Sequence, residues 1–238
     1  MKRRINNYSI PDPDAGTFNL SISDLMAGLL AIFILALSYF MLNFSKATAQ
    51  LTQNNVKRAE ILNVIKDAMK KDSIDVQIDA KQGILRIPEG ILFDVAKADI
   101  KPEGQVVVHK LSDILYTVLN DPNYKTSIET VFIEGHTDNV PIENSEYPSN
   151  WELSTKRAIN TWIDMQGYRP ELNNLVNRDK QPVFSCSGYA ESRPISDNNS
   201  ESGKRMNRRI DVRFSMSPPS EEDQEIVKFV KKQINGNE

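Results

Sequence analysis

The sequence predicts an α/β protein in which a single transmembrane helix precedes an α/β sandwich domain, and three observations carry that reading. Leu25 to Asn43 contains no charged residue, although 26% of the 238-residue chain is charged and its mean hydropathy is negative. Short β-prone runs with alternating apolar residues follow, separated by two stretches with helical apolar spacing. Their order, strand, helix, strand, helix, strand, loop, strand, is that of helices covering one face of a sheet.

Residues 1–18 hold Pro11, Pro13 and Gly16 among polar residues and read as an irregular cytosolic tail. Residues 19–43 are the transmembrane helix: about 19 uncharged residues at ~1.5 Å rise give roughly 28 Å, close to the hydrocarbon thickness of a bilayer. Ser21 or Ser23 can cap its start. A cleaved signal peptide is the competing reading, but the apolar run exceeds the usual signal-peptide core. Lys2, Arg3 and Arg4 precede the span and Lys46 follows it, so the positive-inside rule keeps the N-terminus cytoplasmic and exports the rest. Lys57 and Arg58 weaken that asymmetry.

Residues 44–72 are a helical connector without Gly or Pro from Ser45 to Lys71, with apolar residues at Leu51, Ile61, Leu62, Ile65 and Met69. Its first half is polar on most faces, a poor isolated helix that either packs on a partner or frays. Residues 73–216 form the compact domain. "SIDVQIDAKQGILRIP" reads as two strands turning around Lys81 to Gly83, and Pro102 opens an amphipathic helix through "EGQVVVHKLSDILYTVLN". "SIETVFIEGHTDN" is a strand ending in a polar loop, and "NWELSTKRAINTWIDMQG" a second helix closed by Gly167. "QPVFSCSGYAES" and "NRRIDVRFSM" supply the last two strands. In residues 217–238, Ile226, Val227, Phe229, Val230 and Ile234 form an amphipathic stripe, suited either to a docked terminal helix or to a partner-binding peptide.

A net charge of −3 gives no basic field for direct nucleic-acid contact. The single cysteine, Cys186, has no intrachain partner and sits in a β-prone run, as a buried structural thiol does. His109 and His136 stand apart in sequence, and no CxxC or HExxH pattern marks a metal site.

"IEGHTDNVPI", "NWELSTKRA" and "NRRIDV" occur in that order. A carboxylate in a loop after a strand and a guanidinium on the next helix can form a charge-complementary cleft for a zwitterion, or can simply bridge each other. The three motifs together, over about residues 85 to 216, resemble the peptidoglycan-binding domain shared by OmpA, Pal and MotB. The fold that this implies is a single transmembrane helix followed by a periplasmic OmpA-like α/β sandwich. By the same resemblance, Asp138 and Arg157 contact the diaminopimelate of a peptidoglycan stem peptide, Thr137, Asn150 and Leu153 shape the pocket, and Arg209 lies near its rim. The loop "NVPIENSEYPS" is longer than that of OmpA itself and alters the pocket mouth. Glu134 and Asp138 can be drawn as a glycosidase pair, but no separate acid environment or nucleophile accompanies them, and the domain reads as a binding module rather than an enzyme.

Asp24, at the start of the apolar run, has two readings on the span alone: an acid resting in the headgroups and favoured by the helix dipole, or a functional intramembrane carboxylate. A single N-in helix with an acid near its cytoplasmic end, a helical connector and an OmpA-like domain resembles the MotB-type stator subunits of the bacterial inner membrane. That resemblance implies Asp24 as the ion carrier, with Ser21 and Ser23 lining the path or orienting it, a ring-forming MotA-like or ZorA-like partner, and a homodimer. The implied ion is H+ rather than Na+, since Ser38 and Tyr39, the other oxygen donors of the span, lie far along it from Asp24. No cofactor is implied. "SISDLMAGLLA" departs from the flagellar pattern and looks more like ZorB of the Zorya anti-phage systems.

Overall fold

A 59-residue helix, α1 (Pro13–Lys71), carries both the apolar span and the connector. The computed structural model describes residues 13–142 and 146–218. Residues 1–12 of the expected tail and the amphipathic stripe of the last 20 residues lie outside the described residues. The expected irregular tail is corrected over 13–18, which are helical: Pro13 occupies the first position, where its missing N–H costs no intrahelical bond. Ser21 and Ser23 are therefore interior to the helix and not at its start, where the sequence placed them. Ser23–Lys46 is long and apolar enough to cross a membrane, and its apolar side chains, among them Leu29, Phe33 and Leu37, are exposed, as lipid-facing groups are.

The chain divides at Gln50, with residues 50–219 forming the second compact unit. That unit begins well before Ser73, so the expected boundary is corrected. Ile61, Leu62, Ile65 and Met69 recur along one stripe of α1 and are fully buried in the core of the unit. The second half of the connector needs no outside partner because it packs on its own domain.

β1 (Gln77–Asp79) and β2 (Ile84–Pro88) form the expected hairpin, closed at Gly83, whose positive φ suits glycine. A short helix α2 (Glu89–Leu92) follows, then α3 (Pro102–Asn120), a single turn α4 (Pro122–Lys125) and β3 (Ile128–His136). α5 (Asn150–Tyr168) runs one residue past the Gly167 that the sequence suggested as its stop. A 3-10 turn (Pro170–Asn174), β4 (Phe184–Gly188), α6 (Glu201–Asn207) and β5 (Arg209–Met216) complete the unit, and α6 stands inside what the sequence read as a loop.

The sheet order is β1-β2-β5-β3-β4, mixed, with only β3 and β4 parallel. Alternation gives it two chemically distinct faces. Leu85, Ile87, Val131, Ile133, Ile210, Val212 and Phe214 join Val108, Leu111 and Leu115 of α3 and Ala158 and Met165 of α5 in the core. Arg86, Glu134, His136, Arg209, Asp211 and Arg213 occupy the alternate positions and pair with one another. Cys186, partly buried against the core, lies 3.7 Å from the Ala158 carbonyl, and burial pushes its thiol up to about 11.

Ile65→Ala is expected to destabilise the domain by roughly 2–5 kcal/mol in chemical denaturation of the detergent-solubilised chain, because it opens a cavity in the core. Val64→Ala, on the half-exposed side of the same turn, is expected to cost less than about 1 kcal/mol. Equal midpoints for the two variants would remove α1 from the domain core.

Candidate functional site

Two glycines bring the site together. Gly135 of β3 and Gly188 of β4 are register partners, and a Cβ on either would overlap the first turns of α5, at the Ser154 carbonyl and at Thr155 Oγ1. The helix start therefore rests directly on the strand ends. Ser154 Oγ accepts from the Ala190 amide at 3.0 Å, and the Thr137 amide donates to the Ala190 carbonyl at 2.9 Å, tying the loops after β3 and β4 to the helix.

The "HTDN" loop is shaped by its own side chains. Asp138 Oδ1 accepts from the Val140 amide at 3.0 Å, an Asx-type turn. Asn150, the first residue of α5, donates to the Val140 carbonyl at 3.0 Å and to Glu191 Oε2 at 3.2 Å, while its oxygen accepts from Ile142 N at 3.3 Å. Asn150 is thus the clamp of the loop. Leu153 packs with Ala98 and Tyr147 beneath it.

A pocket of about 350 Å³ opens here, lined among others by Thr137, Asp138, Asn150, Leu153 and Arg157. The structure brings together all of the wall-contact residues expected from the sequence except Arg209. The expectation for Arg209 is corrected: it is buried on the other face of the sheet, where Nε holds Asp211 and the two terminal nitrogens donate to the Asn207 and Arg193 carbonyls. Arg208 lines the pocket instead, since consecutive side chains at the start of a strand point to opposite faces. Glu89 and Glu201 also line it. Sequence reasoning missed Glu89, whose only signal was an acid just after "RIP" at a strand end.

Asp138 and Arg157 do not bridge each other. Asp138 Oδ2 pairs with Arg208 Nη1, whereas Arg157 Nη1 lies 2.9 Å from Glu89 Oε2. Arg157 Nε donates to the Lys97 carbonyl at 2.8 Å, and its guanidinium sits 5.2 Å from the Phe93 ring centroid. Arg157 Nη2 is buried and has no hydrogen-bond partner among the described residues. Burial pushes the Glu89 carboxyl up against the opposing pull of Arg157 and Arg208, and burial likewise lowers Arg157. The pocket therefore offers opposed charges, with a donor of Arg157 to spare. A larger hollow of about 410 Å³ on the other flank of α5, at Trp151, Thr155 and Ile159, has its charged residues Glu146, Glu152 and Lys156 exposed to solvent.

Glu134 and His136 of β3 and Asp211 of β5 bring their ligand atoms within 4.8 Å of one another on the outer sheet face, a group with metal-ligand chemistry among the described residues. Arg213 already pairs with Glu134 and Arg209 with Asp211, so the negative charge a cation would need is spent on guanidiniums. Glu134 does not line the pocket that holds Asp138 and pairs with Arg213 on the outer sheet face. His136 stacks on Tyr189, and burial together with Arg209, Arg193, Arg86 and Arg213 lowers it from 6.5 to about 3, so it is neutral. Burial pushes Asp211 up to about 6 against the pull of Arg209.

Asp24 lies in α1 at the second residue of the apolar span, outside the unit that holds the pocket. The Ser21 side chain lies outside the described residues.

A histidine held neutral in the fold sets a pH dependence. Below its unfolded value of 6.5 the unfolded chain takes up a proton that the folded chain refuses, so stability falls as pH drops from 6.5 toward about 3. Asp211 works in the opposite sense, costing stability as pH rises through 3.8 to about 6. His136→Leu is expected to remove the first slope alone. The stability difference between wild type and variant then changes in favour of the variant by up to about 1.4 kcal/mol per pH unit below 6.5. A difference constant with pH in urea melts would contradict the neutral assignment.

Residues 92–208 match the OmpA family. Motility protein B of Bacillus subtilis (strain 168) is 34% identical over 167 residues, covering 70% of this chain and 58% of its own, so the chain spans little more than half of that relative. Zorya protein ZorB of Escherichia coli (Crooks) is 26% identical over 204 residues, covering 80% of this chain and 84% of its own. The fold matches the cell wall anchor of the T6SS from Pseudomonas aeruginosa (TM-score 0.51, 24% identity, 67% of this chain and 99% of that one). It also matches a MotB-like protein from Desulfovibrio vulgaris (TM-score 0.55, 20% identity, 70% and 98%). Residues 92–208 thus form an OmpA-family domain, in a chain similar to MotB-like proteins and to ZorB.

Proposed function

We propose that the chain is a stator-like subunit: a single-pass inner-membrane protein, N-terminus cytoplasmic and domain periplasmic, that anchors an ion-driven motor to peptidoglycan. One observation carries the reading. The same chain joins a carboxylate in an apolar, membrane-length helix to an OmpA-family domain whose pocket offers opposed charges. The pocket takes a stem peptide through the zwitterionic end of diaminopimelate, with its ammonium on Asp138 and its carboxylate on Arg157 and Arg208. No bond is made or broken, so the domain is a binding module and not an enzyme.

Asp24 carries the proton. A charged acid in a membrane helix costs on the order of 2.5–3.5 kcal/mol on insertion scales at the helix centre and less near an end, while the membrane potential supplies about 2.3 kcal/mol per charge per 100 mV. The two are comparable, so neutralisation and release can drive a cycle against a ring-forming ZorA-like or MotA-like subunit, with this chain as a homodimer. The likeness to ZorB extends over more of both chains than that to Motility protein B, which supports the anti-phage Zorya setting. The higher identity of Motility protein B supports the second reading, a flagellar-type stator.

In sedimentation with purified sacculi, Asp138→Ala, Arg157→Ala and Arg208→Ala are each expected to weaken binding at least tenfold, with the fold retained by circular dichroism. Full retention of binding by all three would sink the pocket assignment. Asp24→Asn is expected to abolish proton flux in vesicles containing the ring partner while leaving sacculus binding intact. Unchanged flux would reduce the chain to a passive tether.

A further inference from the structure

The pocket described above holds one carboxylate more than it has guanidiniums: Glu89, Asp138 and Glu201 against Arg157 and Arg208. A ligand bringing one ammonium and one carboxylate leaves that excess in place and adds a second acid beside Arg157. Glu89 is the acid it meets. Its side chain is 9% exposed, its carboxylate is 2.9 Å from Arg157 Nη1 and 3.8 Å from Arg208 Nε, and its amide donates to the Arg208 carbonyl at 3.1 Å. With Nε on the Lys97 carbonyl and Nη1 paired with Glu89, Nη2 is the nitrogen left without a hydrogen-bond partner among the described residues, and it is the one open to an incoming carboxylate.

We propose that Glu89 is a positioning residue that fixes Arg157 for the ligand carboxylate, and that it takes up a proton from solution when that carboxylate binds. The proposal rests on the wall-binding reading of the pocket. Two carboxylates on neighbouring nitrogens of one guanidinium, in a site largely closed to water, do not both stay ionised. The groups facing Glu89 are Arg157 from α5, Arg208 from the turn before β5 and Asp138 from the loop after β3. Arg208 is shared with Asp138 and Glu201 and cannot neutralise both Glu89 and the ligand. Asp138 is committed to Arg208 and the Val140 amide and receives the ammonium. Burial has already raised Glu89, so it is the group nearest to accepting the proton. The proton comes from buffer, resides on the Glu89 carboxyl and leaves when the ligand leaves.

The experiment titrates the full-length protein in detergent with L-Ala-γ-D-Glu-meso-diaminopimelate by calorimetry, in two buffers of different ionisation enthalpy, between pH 5.5 and 8. The wild type is expected to take up between a few tenths of a proton and one proton per peptide bound. Its Kd is expected to rise with pH, by at most about tenfold per unit. Glu89→Gln, a permanently neutral mimic, is expected to bind without uptake, with a Kd flat in pH and tighter than wild type at pH 8. Wild-type binding without buffer-dependent heat overturns the proposal while sparing the pocket, as does a Glu89→Gln variant with unchanged uptake. The two-buffer measurement on wild type decides the matter even if the variant does not fold. No binding by wild type overturns the wall reading and this proposal with it.

Discussion

The close approach of α5 to the ends of β3 and β4 is the constraint on which the site depends. Gly135 and Gly188 leave no side chain between helix and sheet, and any Cβ there meets the backbone or hydroxyls of Ser154 and Thr155. That contact sets the first turns of α5 over the loop after β3, so Asn150 can clamp the loop and Arg157, two turns on, can reach back to Glu89 and the Lys97 carbonyl. Widening the gap by one methyl group would move all of these together. Interiors packed at native density absorb such a change poorly.

Charge in the pocket is arranged so that neither of its principal residues is satisfied by the other. Were Asp138 and Arg157 a closed pair, a ligand would have to break a buried ion pair before gaining anything. Instead each is held by a different partner, Arg208 for Asp138 and Glu89 for Arg157, and each keeps capacity for a third group. Partial satisfaction of this kind costs stability, which a domain tolerates where it must bind.

Much of this was legible in the sequence, for particular reasons. The apolar run from Leu25 to Asn43 needs no tertiary information, and the strands around "VFIEG" and "RIDVRF" show their period of two directly. Asp138, Asn150, Leu153 and Arg157 were recoverable because three linked motifs put them in one place. Glu89 was not, because its role exists only once the end of β2 lies beside α5, a contact between residues 68 positions apart in sequence. The choice between Arg208 and Arg209 turned on where β5 begins, and a one-residue difference in that start exchanges the faces of the two side chains. The connector is helical as its sequence indicates, but the start of the compact unit was placed too late, because the stripe Ile61, Leu62, Ile65 and Met69 does not say which surface covers it.

The outer sheet face explains why that one-residue difference is not free to drift. Arg209 is held at three points, by Asp211 and by the carbonyls of Asn207 and Arg193, all within the buried network that also contains Glu134, Arg213 and a neutral His136. With Arg209 fixed inward on one face, alternation leaves Arg208 on the other, where Glu201 and Asp138 receive it. Glu89 is tied to the same turn through its amide and the Arg208 carbonyl. A network remote from the pocket thereby sets the position of one of its two guanidiniums. Its charges can be buried because each guanidinium faces a carboxylate and the histidine carries no proton to unbalance them.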